Sequence, residues 1–138
     1  KLVAGVEHLK CTRLSEKGMY RWSTTCCNSP IANTHLGTPW VGVHKNAYQA
    51  KDPQFLERTL GPVKAAIIGK FATGPTLPGT PAMFNFKGML VVLPFMLKGK
   101  FNGKTKGSPF FQADGRTPIK TPTVLSAEER AKHTPKKS

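Results

Sequence analysis

A chain of 138 residues, of which 38% are apolar, can bury the core of one domain and is too short for several large ones. Its 21 Lys and Arg against seven Asp and Glu give a net charge of +14, which attracts anionic partners at low salt. Three cysteines cannot build a disulfide framework, so the composition excludes a small disulfide-stabilised scaffold and favours a reduced, cytoplasmic protein.

The expected organisation is a single domain over residues 1–138 that ends in a basic, flexible tail at residues 130–138. Ser126 and Glu129 have the spacing of a capping box and predict the start of a short C-terminal helix, after which residues 135–138 fray as a charged end. The chain starts at Lys1 without a methionine and without a signal-like segment, so we allow for a domain that is incomplete at its N-terminus.

The first predicted elements form a β-hairpin. Polar and apolar residues alternate over residues 6–14 and 19–25, and a short turn ending in glycine separates the two segments. Tyr20 and Trp22 lie on one face of the second strand, which we predict to be the face that meets the core. Two further strands are predicted over residues 30–34 and 40–44.

A short helix is predicted after these strands. Asp52 is a typical N-cap, Pro53 suits the first helical position, and Gly61 followed by proline ends the helix. Residues 63–72 fit either a helix or a strand.

The longest predicted helix lies in the C-terminal half, within residues 83–101, where Pro94 is expected to kink or divide it. Its apolar run, residues 89–97, is too short to cross a bilayer about 30 Å thick. We label this second predicted helix, within residues 83–101, α2. Apolar side chains recur every three or four residues along it and form what we call the α2 stripe: Phe86, Leu90, Leu93, Leu97 and Phe101. The stripe needs a cover, and the protein's own sheet or a second subunit is favoured over a membrane surface.

The C-terminal third carries much of the charge. Residues 98–138 hold ten basic and three acidic residues, which accounts for half of the net charge. One function class is therefore a basic module that binds nucleic acid or an anionic membrane surface through this third. Its aromatic residues are too few for a platform on which bases stack: Phe101, Phe110 and Phe111.

No complete catalytic set is visible in the sequence. Residues 99–105 end like a phosphate-binding loop but are one residue short of the required spacing. The four histidines are scattered, no nucleophile lies in a recognisable elbow, and the one adjacent carboxylate pair is Glu128–Glu129. The catalytic residues are therefore unknown, and this chain is not expected to be active by itself.

The pair Cys26–Cys27 has two interpretations. Neighbouring side chains of an extended strand point to opposite faces, so both thiols can hardly bind one tetrahedral zinc ion. One interpretation is a remnant metal site that uses Cys27 with ligands from elsewhere. The other is a pair of ordinary reduced thiols, one in the core and one nearer solvent. Structural zinc needs four ligands, so we favour the thiols and expect no cofactor, with zinc at Cys27 as the alternative.

The segment Cys27-Asn28-Ser29-Pro30-Ile31 resembles the C-G-[ST]-P-[LI] end of the second C-x-x-C motif in the glutathione-dependent formaldehyde-activating enzyme and centromere protein V superfamily. Thr24 stands where that motif has its first cysteine, and Cys26 has no counterpart. Four further blocks resemble an uncharacterised bacterial branch of the superfamily: residues 5–15, 20–34, 60–62 and 108–111.

The resemblance implies an α+β fold that is mainly antiparallel β, a zinc-ribbon-related β-tent, with a few helices of which the longest lies in the C-terminal half. It also implies carbon-sulfur lyase chemistry on a glutathione-formaldehyde adduct. The early C-x-C and C-x-x-C motifs that carry zinc and catalysis would lie upstream of Lys1, so no catalytic residue carries over. A sheet without its early strands exposes its edges, which predicts a symmetric homodimer.

Overall fold

The computed structural model describes residues 4–44, 47–48, 54–70, 72, 74–104 and 107–133. The fold is α+β, as predicted, and it combines a mostly antiparallel sheet with helices of which the longest lies in the C-terminal half. The strands are β1 (Leu9–Arg13), β2 (Tyr20–Thr24), β3 (Pro30–Thr34), β4 (Val41–Val43) and β5 (Thr123–Val124). The helices are α1 (Phe55–Leu60), α2 (Phe86–Phe101) and α3 (Ala127–His133). The closer assignment to a β-tent stays a prediction.

The chain divides into two compact units. A sheet unit comprises Lys1–Gln49 together with Gly103–Ser138, and a helical unit comprises Ala50–Asn102. The strands and α3 belong to the first unit, and α1 and α2 belong to the second.

The five strands lie in the order β4-β3-β2-β1-β5, and every neighbouring pair is antiparallel except β1 with β5. The predicted hairpin is confirmed, with Cys11 on β1 opposite Trp22 on β2. The first strand is shorter than expected, because Val6–His8 form a 3₁₀ turn that leads into it. The third and fourth predicted strands are also present, the fourth in shortened form.

The core of the sheet unit lies on one face of β1 to β3. The first and third residues of β1 and of β2 are buried there, as the two-residue period of a strand requires. The predicted core positions Tyr20 and Trp22 are confirmed, with 6% and 1% of their surface exposed. Phe110 packs on Trp22 with ring centroids 5.0 Å apart, so the segment after the helical unit completes this core.

The helical unit confirms some of the predicted helix ends. α1 ends at Gly61, whose φ of 75° lies in the left-handed region that glycine favours. Its predicted start at Asp52–Pro53 lies outside the described residues. Residues 63–70 form neither a helix nor a strand; instead, the Gly69 and Lys70 N–H groups donate hydrogen bonds to the carbonyls of residues 81 and 82.

α2 begins at an Asn85 cap, whose side chain accepts a hydrogen bond of 2.9 Å from the Gly88 N–H. Pro94 does not divide the helix, which runs from Phe86 to Phe101. No described helix is both long enough and apolar enough to span a membrane.

α3 has the predicted capping box. The Ser126 N–H donates to Glu129 Oε2 at 2.8 Å, and the Glu129 N–H donates to Ser126 Oγ at 3.2 Å. Residues 130–133, predicted as the start of a flexible tail, belong to α3, and residues 134–138 lie outside the described residues.

Candidate functional site: a turn with two thiols

The turn between β2 and β3 carries both adjacent cysteines. Thr24, the last residue of β2, closes the turn because its N–H donates to the Ser29 carbonyl at 3.0 Å. The Ser29 N–H returns a hydrogen bond of 3.0 Å to Thr24 Oγ1. Asn28 has a φ of 54°, in the left-handed region that asparagine adopts more readily than most residues.

The sequence-based description of the two cysteines is wrong in one respect. β2 ends at Thr24, so Cys26 and Cys27 lie in the turn rather than on an extended strand, and their side chains do not point to opposite faces. The two Sγ atoms are 3.6 Å apart, and both residues are exposed. Neither thiol is in the core; the buried cysteine is Cys11 on β1.

Two hydroxyl groups surround the sulfur of Cys27. Its Sγ lies 3.1 Å from Thr24 Oγ1 and 3.1 Å from Ser29 Oγ. Thr24 Oγ1 already accepts the Ser29 N–H, so its own proton is free to point at the sulfur. The turn therefore directs two hydroxyl groups at the sulfur of Cys27.

These donors change the acidity of Cys27. Hydrogen bonds from Ser29 and Thr24, in that order of effect, stabilise the thiolate and lower the pKa of Cys27 from 9.0 to about 6. The Cys27 thiol is thus mostly ionised at pH 7 and is a better nucleophile than an unperturbed cysteine. Burial has the opposite effect on Cys11, whose pKa rises to about 11.

A lysine side chain borders the turn. Lys10 on β1 pairs across the sheet with Ser23 on β2, and its ammonium group donates a hydrogen bond to Asn28 Oδ1. The residue next to Cys27 is therefore held by a lysine from the neighbouring strand.

The turn does not fit a structural zinc ion. Two thiols at 3.6 Å could occupy two corners of a tetrahedron, since Zn–S bonds of about 2.3 Å place sulfurs about 3.8 Å apart. However, no group of three or more Cys, His, Asp or Glu that could hold a metal occurs within the described residues. The sequence suggested Cys27 as a metal ligand. Among the described residues Cys26 is the one candidate for a second ligand, whereas structural zinc requires four.

The hydroxyl groups are the part of the site that sequence reasoning missed. From the sequence, Thr24 was interpreted only as the replacement of a cysteine. In the structure its Oγ1 contacts the sulfur of Cys27, three residues further on, as the first cysteine of a C-x-x-C motif would. The signal was present in the run Thr24 to Ser29, where hydroxyl residues flank both cysteines within one tight turn.

The sheet unit also has a cleft, which no residue of this turn lines. It is a cleft of about 140 Å³ that His35, Trp40, Lys104, Ser108 and neighbouring residues line. Its described lining has no cysteine and no carboxylate, so it offers neither a nucleophilic thiol nor an acid-base pair.

Comparison with known proteins identifies a family but no characterised relative. The model of a family described as a family of unknown function (DUF6151) matches residues 1–121. No curated protein and no solved structure matches the chain.

Proposed function

The chain belongs to DUF6151, a family of unknown function, and we propose that its β2–β3 turn captures small aldehydes, formaldehyde first, on the thiolate of Cys27. The observation that carries this proposal is the position of the Cys27 sulfur, exposed and 3.1 Å from each of two hydroxyl oxygens.

The step is an addition without redox change. The Cys27 thiolate attacks the carbonyl carbon, a C–S bond forms, and the π electron pair of the carbonyl moves to its oxygen. That oxygen takes a proton from water and gives a hemithioacetal, S-hydroxymethyl cysteine in the case of formaldehyde. The hydroxyls of Thr24 and Ser29 can donate to the sulfur before the reaction and to the developing alkoxide during it.

The choice of aldehyde rests on the resemblance to the formaldehyde-activating superfamily, which we propose as the origin of the scaffold. Three features support it: the turn joins two antiparallel strands, Asn28 adopts the positive φ of the glycine it would replace, and Thr24 contacts Cys27 as the missing cysteine would. On this proposal the turn keeps a thiol that handles aldehyde.

The cellular setting and assembly follow as parts of the proposal. A pair of exposed thiols stays reduced in the cytoplasm, where we place the protein. The homodimer expected from the sequence would use β4, which lies at one edge of the sheet with Val41 and Val43 exposed. Sedimentation equilibrium tests it, because a dimer through this edge doubles the mass.

Carbon-13 NMR tests the aldehyde site directly. With ¹³C-formaldehyde at neutral pH, the wild type should show a hemithioacetal signal that Cys27→Ser loses. Cys26→Ser is the matched control and should keep the signal, because its sulfur lacks the two hydroxyl contacts. Adducts of the many lysines appear in all three proteins and are subtracted in the comparison. A signal that survives in Cys27→Ser, or that vanishes equally in both variants, would contradict the proposal.

The zinc content of the same samples, measured per chain, tests whether the turn is a metal site. We expect less than one tenth of an equivalent of zinc per chain, since the turn supplies two ligands at most. Stoichiometric zinc that Cys27→Ser abolishes would overturn the thiol mechanism in favour of a metal site.

A further inference from the structure

α2 exposes an apolar face to solvent. Gly88 is buried, and Val92, Met96 and Gly99 are half-buried, which defines one side of the helix by its four-residue spacing. A side chain at Gly88 would come within 3.2 Å of Ile67 Cγ2, so this side packs against the helical unit itself. The opposite side is the α2 stripe, whose five residues are all exposed: Phe86, Leu90, Leu93, Leu97 and Phe101.

The residues of this face are strongly exposed. Its two ends, Phe86 and Phe101, have 72% and 85% of their surface exposed, and three leucines lie between them. Contiguous exposed apolar surface of this kind marks a place where another surface binds.

The charge around the stripe identifies the kind of partner. α2 contains Lys87, Lys98 and Lys100 and no acidic residue. Helical spacing places Lys87 and Lys98 along one border of the stripe and Lys100 on the other side, near Met89. From residue 58 to residue 113 the chain has eight Lys and Arg and no Asp or Glu. The partner must therefore be apolar where it meets the stripe and anionic around it.

An anionic bilayer meets both requirements at once. A helix of 16 residues is about 24 Å long, which is short of a bilayer core of about 30 Å, so α2 can lie along the surface but cannot cross it. In that position leucines and phenylalanines enter the acyl boundary while lysines reach the phosphates.

A second copy of the chain fits less well. A symmetric dimer would place the stripe against itself and bring its lysines together, and α2 itself has no carboxylate to pair with them. Nucleic acid would bind the lysines but would leave the aliphatic side chains in water. We propose that α2 is an interfacial helix that binds the surface of anionic membranes, with the α2 stripe in the lipid and Lys87, Lys98 and Lys100 at the headgroups.

Vesicle co-sedimentation tests this proposal on the whole chain. We expect binding to phosphatidylglycerol vesicles and at least tenfold weaker binding to phosphatidylcholine vesicles. Leu90→Gln with Leu93→Gln should weaken binding about tenfold or more, because two side chains that enter the lipid become polar. Lys98→Gln with Lys100→Gln should weaken it roughly fivefold per lysine.

The control is Leu36→Gln, the same exchange at an exposed leucine of the sheet unit, and it should bind as the wild type does. Thermal unfolding of each variant checks that the fold is kept. The substituted leucines are exposed, so their replacement should not disturb the core. Cys27→Ser should also bind normally, so failure here is separate from failure of the aldehyde site.

Three results would overturn the proposal. The first is the absence of binding to phosphatidylglycerol vesicles. The second is binding that Leu90→Gln with Leu93→Gln leaves unchanged, which would reduce the interaction to charge alone. The third is a dimer in sedimentation equilibrium that this double variant dissociates, in a protein that leaves vesicles unbound, which would make a second copy the partner.

Discussion

Trp22 and Thr34 share a hydrogen bond in the centre of the sheet unit. The indole Nε1–H of Trp22 donates to Thr34 Oγ1 at 2.9 Å, and each residue has only 1% of its surface exposed. This bond fixes the orientation of the largest buried side chain, because the indole N–H has no access to water.

Thr34→Val should therefore destabilise the protein by about 1–3 kcal/mol, since valine has the same shape but leaves the buried N–H unsatisfied. Urea unfolding followed by Trp fluorescence measures the change. The control is Thr38→Val, the same exchange at a half-buried threonine whose hydroxyl donates an exposed hydrogen bond to the His35 carbonyl, which water can replace. Equal losses at the two positions would show that burial of the bond is irrelevant.

Phe110 should contribute more to the free energy of unfolding than the other described residues of the sheet unit that lie outside its strands. It is 3% exposed and packs on Trp22, so Phe110→Ala removes an entire buried ring and should cost about 3–5 kcal/mol. Phe101→Ala deletes the same ring at a position 85% exposed and should change the free energy of unfolding by less than about 0.5 kcal/mol. If the two variants unfold at similar urea concentrations, the described core is wrong.

The sequence predicted the sheet well because its strands carry local signals. Alternation in β1 and β2 and the glycine-ended turn between them depend only on neighbouring residues, and the same period placed Tyr20 and Trp22 in the core. The contribution of Phe110 was not predictable, because its contact with Trp22 spans most of the chain and leaves no local pattern. The parallel pairing of β1 with β5 could not be predicted for the same reason, because the two strands are far apart in the sequence.

The site was only half predictable. The importance of the cysteine turn was visible in the sequence, but the assumption of an extended strand through Cys26 and Cys27 gave the wrong side-chain directions. The turn begins one residue after Thr24, and this small shift brings both sulfurs together and places hydroxyls on Cys27. Periodicity along the chain cannot locate a strand end to one residue.

The hydroxyls of the turn should control the reactivity of Cys27. The rate of iodoacetamide alkylation rises with pH as the thiolate forms, so the wild-type midpoint should lie near pH 6. Ser29→Ala and Thr24→Val should each shift the midpoint upward, with the larger shift for Ser29→Ala, because the hydrogen bond from Ser29 has the larger effect on the pKa. Intact-protein mass spectrometry gives the rates. Thr25→Val is the control and should leave the midpoint in place; a shift there as large as in the other two would contradict the assignment.

Cys11 should make stability fall at alkaline pH. Burial raises its pKa from 9.0 to about 11, against the weaker opposing effects of the Arg13 charge and the Arg21 backbone, so the folded state holds a proton that the unfolded state has lost. The contribution is complete below about pH 9 and is lost as the pH rises from about 9 to about 11. Urea midpoints measured between pH 8 and pH 10.5 should fall more steeply for the wild type than for Cys11→Ala, which has no thiol to ionise. Because the two proteins differ only at residue 11, the difference between the two slopes isolates the thiol, and parallel slopes would show that Cys11 ionises as freely in the folded protein as in the unfolded one.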